Sequence, residues 1–169
     1  LKNKNDDVRF YLTILNSRLI SYFYNLYYGE SNTNLTKKAF EDIPVVNLKD
    51  INQQPFIEKA DKMLSLNKEL QEKVSAFQRL LIRKFELEKL SPKLQDRYLV
   101  EFSEFEKKKK KAKIKLNPSE DMEWEEVFLH KKEEALEVKN EIEITDKEID
   151  GMVYELYGLS EEEIEVVEN

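Results

Sequence analysis

The sequence holds no cysteine, so disulfides and thiolate metal sites are excluded, and a reducing cytoplasm is expected. Its three glycines, Gly29, Gly151 and Gly158, are isolated from one another, which excludes a glycine-rich phosphate loop. With only four prolines besides, there is little punctuation for a large sheet, and helix is favoured. The single histidine, His130, lies in the charged run Leu129-His130-Lys131-Lys132. A ligand or general base needs partners at defined spacing, and a lone histidine in so charged a helix is expected to be solvent-exposed or helix-flanking. No apolar run approaches membrane-spanning length, and the charged opening LKNKNDD is not a signal peptide. Leu1 in place of an initiator Met is expected of a piece of a longer protein, whose activity can lie upstream.

Charge, by contrast, is plentiful: 37% of the 169 residues, with a net of −7. The net value hides an asymmetry. Residues 1–117 carry 24 Lys and Arg against 16 Asp and Glu, a balance of +8, while residues 118–169 carry 4 against 19, a balance of −15. An acidic total therefore does not exclude a nucleic-acid face on the first part. It equally fits two helices that attract one another. In so acidic a C-terminal region, adjacent carboxylates are the default and carry no catalytic signal.

The longest uninterrupted pattern runs from Pro55 to Leu90, without Gly, a second Pro or a β-branched run, and rich in Lys, Glu, Leu, Gln and Arg. Pro55 suits a first helical position, where its missing N–H costs nothing. Phe56, Ala60, Met63, Asn67, Leu70, Val74, Phe77 and Leu81 recur at steps of four and three, a 3.5-residue repeat that keeps one apolar seam facing a partner helix. Such a helix would be roughly 54 Å long at 1.5 Å per residue, which suits a spacer better than a buried core helix. Asn67 is the polar member of the seam, Ala60 to Leu81, and is expected to fix register at some cost in stability.

Upstream, Asn5-Asp6-Asp7 predicts a helix start, and Gly29 its end in a left-handed cap. The face between them is expected at Val8, Tyr11, Leu12, Leu15, Leu19, Tyr22, Phe23 and Leu26. The aromatic run Tyr22 to Tyr28 is expected to pack in core and rim, although such rings also offer stacking faces to bases. Lys37 to Asn47 alternates weakly around Phe40, Ile43 and Val45, and Pro44 limits it to an edge strand or an extended connector. Leu48 to Gln54 reads as a linker.

Downstream, Ser91-Pro92 opens another helix, with Leu94, Tyr98, Leu99, Phe102 and Phe105 on its apolar face. The run Lys107, Lys108, Lys109, Lys110 and Lys111, continued by Lys113 and Lys115, is the best electrostatic candidate for DNA phosphate contacts. It also suits a solvated helix end, where cations meet the negative dipole. Asn117-Pro118-Ser119 breaks the chain, and a helix is expected from Ser119 to about Ile142, with Trp124, Phe128, Lys131, Ala135, Val138 and Ile142 on one face. Its length suits an antiparallel return along the spacer. Thr145-Asp146-Lys147-Glu148 and Ser160-Glu161-Glu162-Glu163 match the capping-box pattern and predict two short helices, Gly158 ending the first. Asn117-Pro118 followed by Ser119-Glu120 departs from the Asn-Pro-Pro-aromatic motif of amino-methyltransferases and reads as a helix cap.

Three passages carry a family resemblance. The run ILNSRLISYFYN (Ile14–Asn25), then FEDIPVV (Phe40–Val46), then QPFIEKADKMLSLNKELQ (Gln54–Gln71) resembles the end of a target-recognition domain passing into a helical spacer. The final EIDGMVYELYGLSEEEIEVVE (Glu148–Glu168) is similar to the C-terminal signature of type IIG restriction-modification enzymes and related adenine-N6 DNA methyltransferases, the TaqI-like specificity region. Ile43-Pro44, Leu48, Gln54 and Ile57 also resemble the join between recognition domain and spacer in type I specificity subunits.

The resemblance implies a fold that is mainly α: a long antiparallel helical hairpin, or coiled-coil spacer, with short terminal helices and a small α(+β) remnant of a recognition domain. Residues 1–47 would end that recognition domain, and residues 48–169 would form the spacer with C-terminal docking helices. There Ile149, Val153, Leu156, Leu159 and Ile164 would dock, with Tyr154 and Tyr157 adding apolar faces with polar tips. The fragment would be non-catalytic. S-adenosylmethionine, and Mg2+ if a nuclease is present, would belong to an upstream methyltransferase portion, and double-stranded DNA would be the partner through that longer protein. The competing expectation is a structural coiled-coil module of an unrelated assembly, dimerising through the Pro55–Leu90 seam.

Overall fold

A computed structural model of the protein describes residues 7–29, 37–44, 51–85 and 116–169, with the backbone alone at 39, 40 and 85. Among the described residues the chain is mainly helical, with six helices and no strand. They are α1 (Val8–Leu15), α2 (Arg18–Tyr28), α3 (Lys37–Asp42), α4 (Gln54–Phe85), α5 (Pro118–Tyr157) and α6 (Glu161–Glu168). None is long and apolar enough to cross a membrane.

The expected single helix from Asn5 to Gly29 is two. Asp7 caps α1 by accepting from the Arg9 N–H, and Ser17 caps α2 by accepting from the Ile20 N–H. The Ser17 hydroxyl also donates to the Ile14 carbonyl at 2.7 Å, so one buried side chain closes the first helix and opens the second. That break changes the phase of the buried face. Phe10, Ile14 and Ile20 are buried, whereas Val8, Leu12 and Leu26, expected inside, are exposed. Gly29 ends α2 at φ +80°, a backbone conformation open to glycine, and its N–H donates to the Asn25 carbonyl.

Lys37–Asp42 forms α3 rather than the expected edge strand or extended connector. Pro44 is consistent with this, since it bars helix only from the residue before it, and the helix stops at Asp42, ahead of Ile43. The β component expected there is absent among the described residues.

At the start of α5, Asn117 and Glu120 satisfy one another's backbone. The Asn117 side chain accepts from the Glu120 N–H at 2.9 Å, and the Glu120 carboxylate accepts from the Asn117 N–H at 3.0 Å. The helix then runs past Ile142, where its end was expected, and past the box-like Thr145 to Glu148. The reason lies in the phase of its buried positions. Phe128, Ala135, Val138, Ile142, Thr145 and Ile149 continue one repeat of three and four, so Thr145 is a fully buried seam position instead of a cap. The helix ends where Gly158 takes φ +68°. There the Leu159 N–H reaches the Tyr154 carbonyl at 3.0 Å and the Gly158 N–H reaches that of Glu155 at 3.1 Å, the paired bonds of a Schellman end. Ser160 and Glu163 then form the expected capping box of α6.

The chain divides into two compact units, Leu1–Leu64 with Glu143–Asn169, and Ser65–Ile142. In the first unit the start of α4 and the end of α5 pack into the same core as α1 and α2. That core holds Phe10, Ile14, Ile20, Ile43, Phe56, Ile149 and Val153, with the ring of Phe10 edge-on to that of Phe56 at 5.1 Å. In the second unit Leu66, Phe77 and Leu81 of α4 and Phe128, Ala135, Val138 and Ile142 of α5 are buried.

Candidate functional site

Two local arrangements bear on function: the docking of the C-terminal signature in the first unit, and the paired helix faces of the second.

The signature Glu148–Glu168 contributes Ile149 and Val153 to the core, with Met152, Leu156 and Tyr157 packed against it. Asp150 is buried, and its Oδ1 accepts from the Arg18 N–H at 2.7 Å. A carboxylate there satisfies an N–H at the start of α2 that no intrahelical carbonyl can reach, and it meets the positive end of the helix dipole. Burial is the main influence on its pKa and raises it; the Arg18 N–H opposes the rise. Tyr154, also buried, donates to Glu168 at 2.6 Å, and Arg18 forms an ion pair with the same carboxylate. The Tyr154 bond, followed by the charge of Arg18, holds Glu168 below the usual carboxylate range. Tyr157 donates to the Pro44 carbonyl at 2.7 Å. Lys59 of α4 pairs with Glu148 of α5 at 2.5 Å and lowers its pKa through that bond. The signature is therefore a joint, hydrogen-bonded among α2, α4, α5, α6 and the Pro44 backbone and packed against the apolar side chains of α1.

Of the predicted seam, Ala60, Phe77 and Leu81 are buried, and Met63, Leu70 and Val74 are half-buried. In the single chain Asn67 is exposed, and Leu66, one residue earlier, is buried. Within the second unit, Lys73 reaches Glu134 at 3.9 Å, the Phe77 and Phe128 rings meet edge-on at 5.8 Å, and Lys84 lies 5.9 Å from the Trp124 ring. Positions descend on α5 as they rise on α4.

Glu134 is the polar centre of these faces. Lys131 donates to both of its oxygens at 3.0 Å, and His130 stands 3.1 Å away on the same helix. The bond from Lys131 is the main reason its pKa is lowered. Lys131, expected within the apolar stripe, thus lies half-buried at the stripe's edge with its amine turned to Glu134. His130 is exposed on the helix surface. The aromatic run on α2 lies at the rim. Tyr27 is 67% exposed, Tyr24 and Tyr28 stack at 5.2 Å, and Tyr28, bonded to Asp42, has its pKa pushed up to about 12.

The candidate phosphate contacts Lys107, Lys108, Lys109, Lys110, Lys111 and Lys113 lie outside the described residues. So do the expected helix after Ser91-Pro92 and the end of the long helix beyond Phe85. Among the described residues, no group of three or more His, Cys, Asp or Glu side chains is placed to hold a metal ion. Sequence reasoning missed Asp150 and Glu134. The first has no signal in spacing, since its partner N–H lies 132 positions away. The second was legible as a carboxylate three residues from Lys131 and four from His130.

The chain belongs to a family described as a domain of unknown function, DUF8810, whose model matches residues 49–153. That span takes in all of α4 and most of α5. No curated protein and no solved structure matches the chain.

Proposed function

We propose that this chain is the non-catalytic DNA-specificity and spacer portion of a bacterial restriction-modification adenine-N6 DNA methyltransferase. In this reading α4 and α5 form a long antiparallel helical hairpin that holds target recognition at a set distance from catalysis. The observation that carries it is the joint made by the C-terminal signature. The residues that resemble the family signature, Ile149, Asp150, Val153, Tyr154 and Tyr157, are the ones that fasten α5 to α1, α2 and the Pro44 backbone. Those partners lie in or beside the passages that resemble the end of a recognition domain. A signature whose side chains serve a joint fits a part that positions other domains. The continuous seam of α5 through Thr145 supports the spacer, since an unbroken helix transmits position.

Catalysis, S-adenosylmethionine and any Mg2+-dependent nuclease would then reside in an upstream methyltransferase portion, with double-stranded DNA as the shared partner. The test is to express the complete open reading frame that contains this chain in a host lacking adenine methylation and to map modified bases in its genome. N6-methyladenine at one recurring sequence is expected. Unmodified adenine throughout, with the protein present and folded, overturns the reading.

A further inference from the structure

Within the second unit a groove of about 590 Å³ is floored by Ala76, Phe77 and Leu80 and edged by Lys73, Arg79, Arg83, Lys131 and Glu134. Four cations face one carboxylate. Glu134 is already engaged by Lys131, His130 and Lys73, so it orders the lysines and leaves the balance of the groove positive.

The arginines of the described residues divide into two kinds. Arg9 is committed to Asp7 and Asp61, and Arg18 to Glu168. Arg79 and Arg83 are both exposed and make no ion pair or hydrogen bond with another described residue. Being four residues apart, they lie on one face of α4, and Lys73 of the same helix lines the groove with them. From Lys73 to Arg83 the row extends roughly 15 Å along the helix, at 1.5 Å per residue. A row of that length exceeds one phosphate and matches about four phosphate steps of a nucleic-acid strand, at 3.4 Å each along the duplex axis. Guanidinium forks with no partner among the described residues suit phosphodiester oxygens.

We propose that the groove edged by Lys73, Arg79, Arg83 and Lys131 is a contact for the sugar-phosphate backbone of duplex DNA, positioning the duplex without reading its bases. The choice of DNA as the polyanion rests on the function proposed above. These contacts neutralise phosphates and release counterions, so binding through them is salt-dependent and independent of sequence.

The test uses the 169-residue chain and a fluorescent duplex of arbitrary sequence, with affinity measured by anisotropy across a salt series. The Arg79→Gln/Arg83→Gln variant is expected to lower the slope of log affinity against log salt by about two and to weaken low-salt binding roughly 10- to 100-fold. Arg79→Lys/Arg83→Lys keeps both charges and should retain the slope. Lys37→Gln/Lys38→Gln removes two exposed cations from the first unit and should leave it unchanged. Circular dichroism of each variant establishes that helix content is intact. If the Gln pair unfolds, the single variant Arg83→Gln, with a slope lowered by about one, serves in its place. Absence of wild-type binding at low salt overturns the proposal, as does an unchanged slope in the Gln variant or an equal loss in the Lys37/Lys38 control. Polyglutamate that binds the wild type as tightly as the duplex, and is lost in the Gln variant, reassigns the groove to an acidic protein partner. Genomic adenine methylation together with an unchanged slope removes the groove and leaves the proposed function standing. A lowered slope without methylation does the reverse.

Discussion

In the first unit, several helices converge on one cluster, and polar bonds join distant segments: Arg18 to Asp150, Tyr157 to Pro44, and the Thr13 hydroxyl 3.1 Å from the Phe56 carbonyl. In the second unit, two helices supply every buried hydrophobic side chain among the described residues, and the cross-links include a distant ion pair, an edge-on ring pair and a lysine over a tryptophan. The first unit is specified by directional bonds that have one solution. The second rests mainly on apolar positions buried along two helices. The proposed joint needs the first kind of order, and the proposed spacer needs only the second.

Truncating a buried ring in each unit should expose that difference most strongly. Phe10→Ala, in a fully buried site where α1 meets α4, should cost about 4 kcal/mol in urea denaturation. Phe77→Ala removes an equally buried ring from a two-helix layer that can close up, and should cost about 3 kcal/mol, the low end for such changes. Hydrogen exchange after Phe10→Ala should show loss of protection in α1 and α2. Equal costs, with protection lost evenly in both units, would erase the distinction.

A smaller effect sharpens the role of the joint. Asp150→Ala leaves the Arg18 N–H without its carboxylate and should cost about 1 kcal/mol. Asp150→Asn keeps an acceptor and removes the buried charge. Because burial raises the Asp150 pKa, the folded protein holds that proton more tightly than the unfolded chain, and this group's contribution falls as pH rises through the interval between the two values. The Asn variant should therefore gain on the wild type above that interval and match it below. Glu134, Glu148 and Glu168 have lowered pKa values, so their contributions are present above the ordinary carboxylate range and lost as pH falls through the folded values. Both proteins should thus weaken in acid. Urea midpoints over a pH series measure the two signs separately.

The smallest effect concerns the exposed seam position. Asn67→Leu should alter stability by less than about 0.5 kcal/mol and leave the mass from light scattering unchanged. A large gain in stability, or a new oligomer, would put Asn67 back in a packed seam.

Where pattern and local chemistry agreed, the sequence was readable. Gly29, Gly158, the Ser160 box and the buried Ala60, Phe77 and Leu81 all follow from spacing or from one residue's backbone preference. Local signals misled where tertiary packing overrode them. Thr145 looks like a cap but falls in phase with Val138, Ile142 and Ile149, and burying that stripe favours continuing the helix. Ser17, unremarkable in an apparently continuous amphipathic run, splits α1 from α2 and thereby moves the buried face from Leu12 and Leu26 to Ile14 and Ile20. The weak alternation around Ile43 resembled a strand, but six residues before it close into a helix. Asp150 and Arg18 meet through long-range folding alone, which no spacing rule detects.

The claim that the second unit serves as a spacer is tested most directly by lengthening it without disturbing its seam. Seven residues inserted after Gln71 in α4 and seven after Leu136 in α5 preserve the phase of both helices and extend each by about 10 Å. In the complete open reading frame, such a variant should retain its helix content by circular dichroism but lose most site-specific adenine methylation. Methylation at the wild-type rate and sequence would contradict the account.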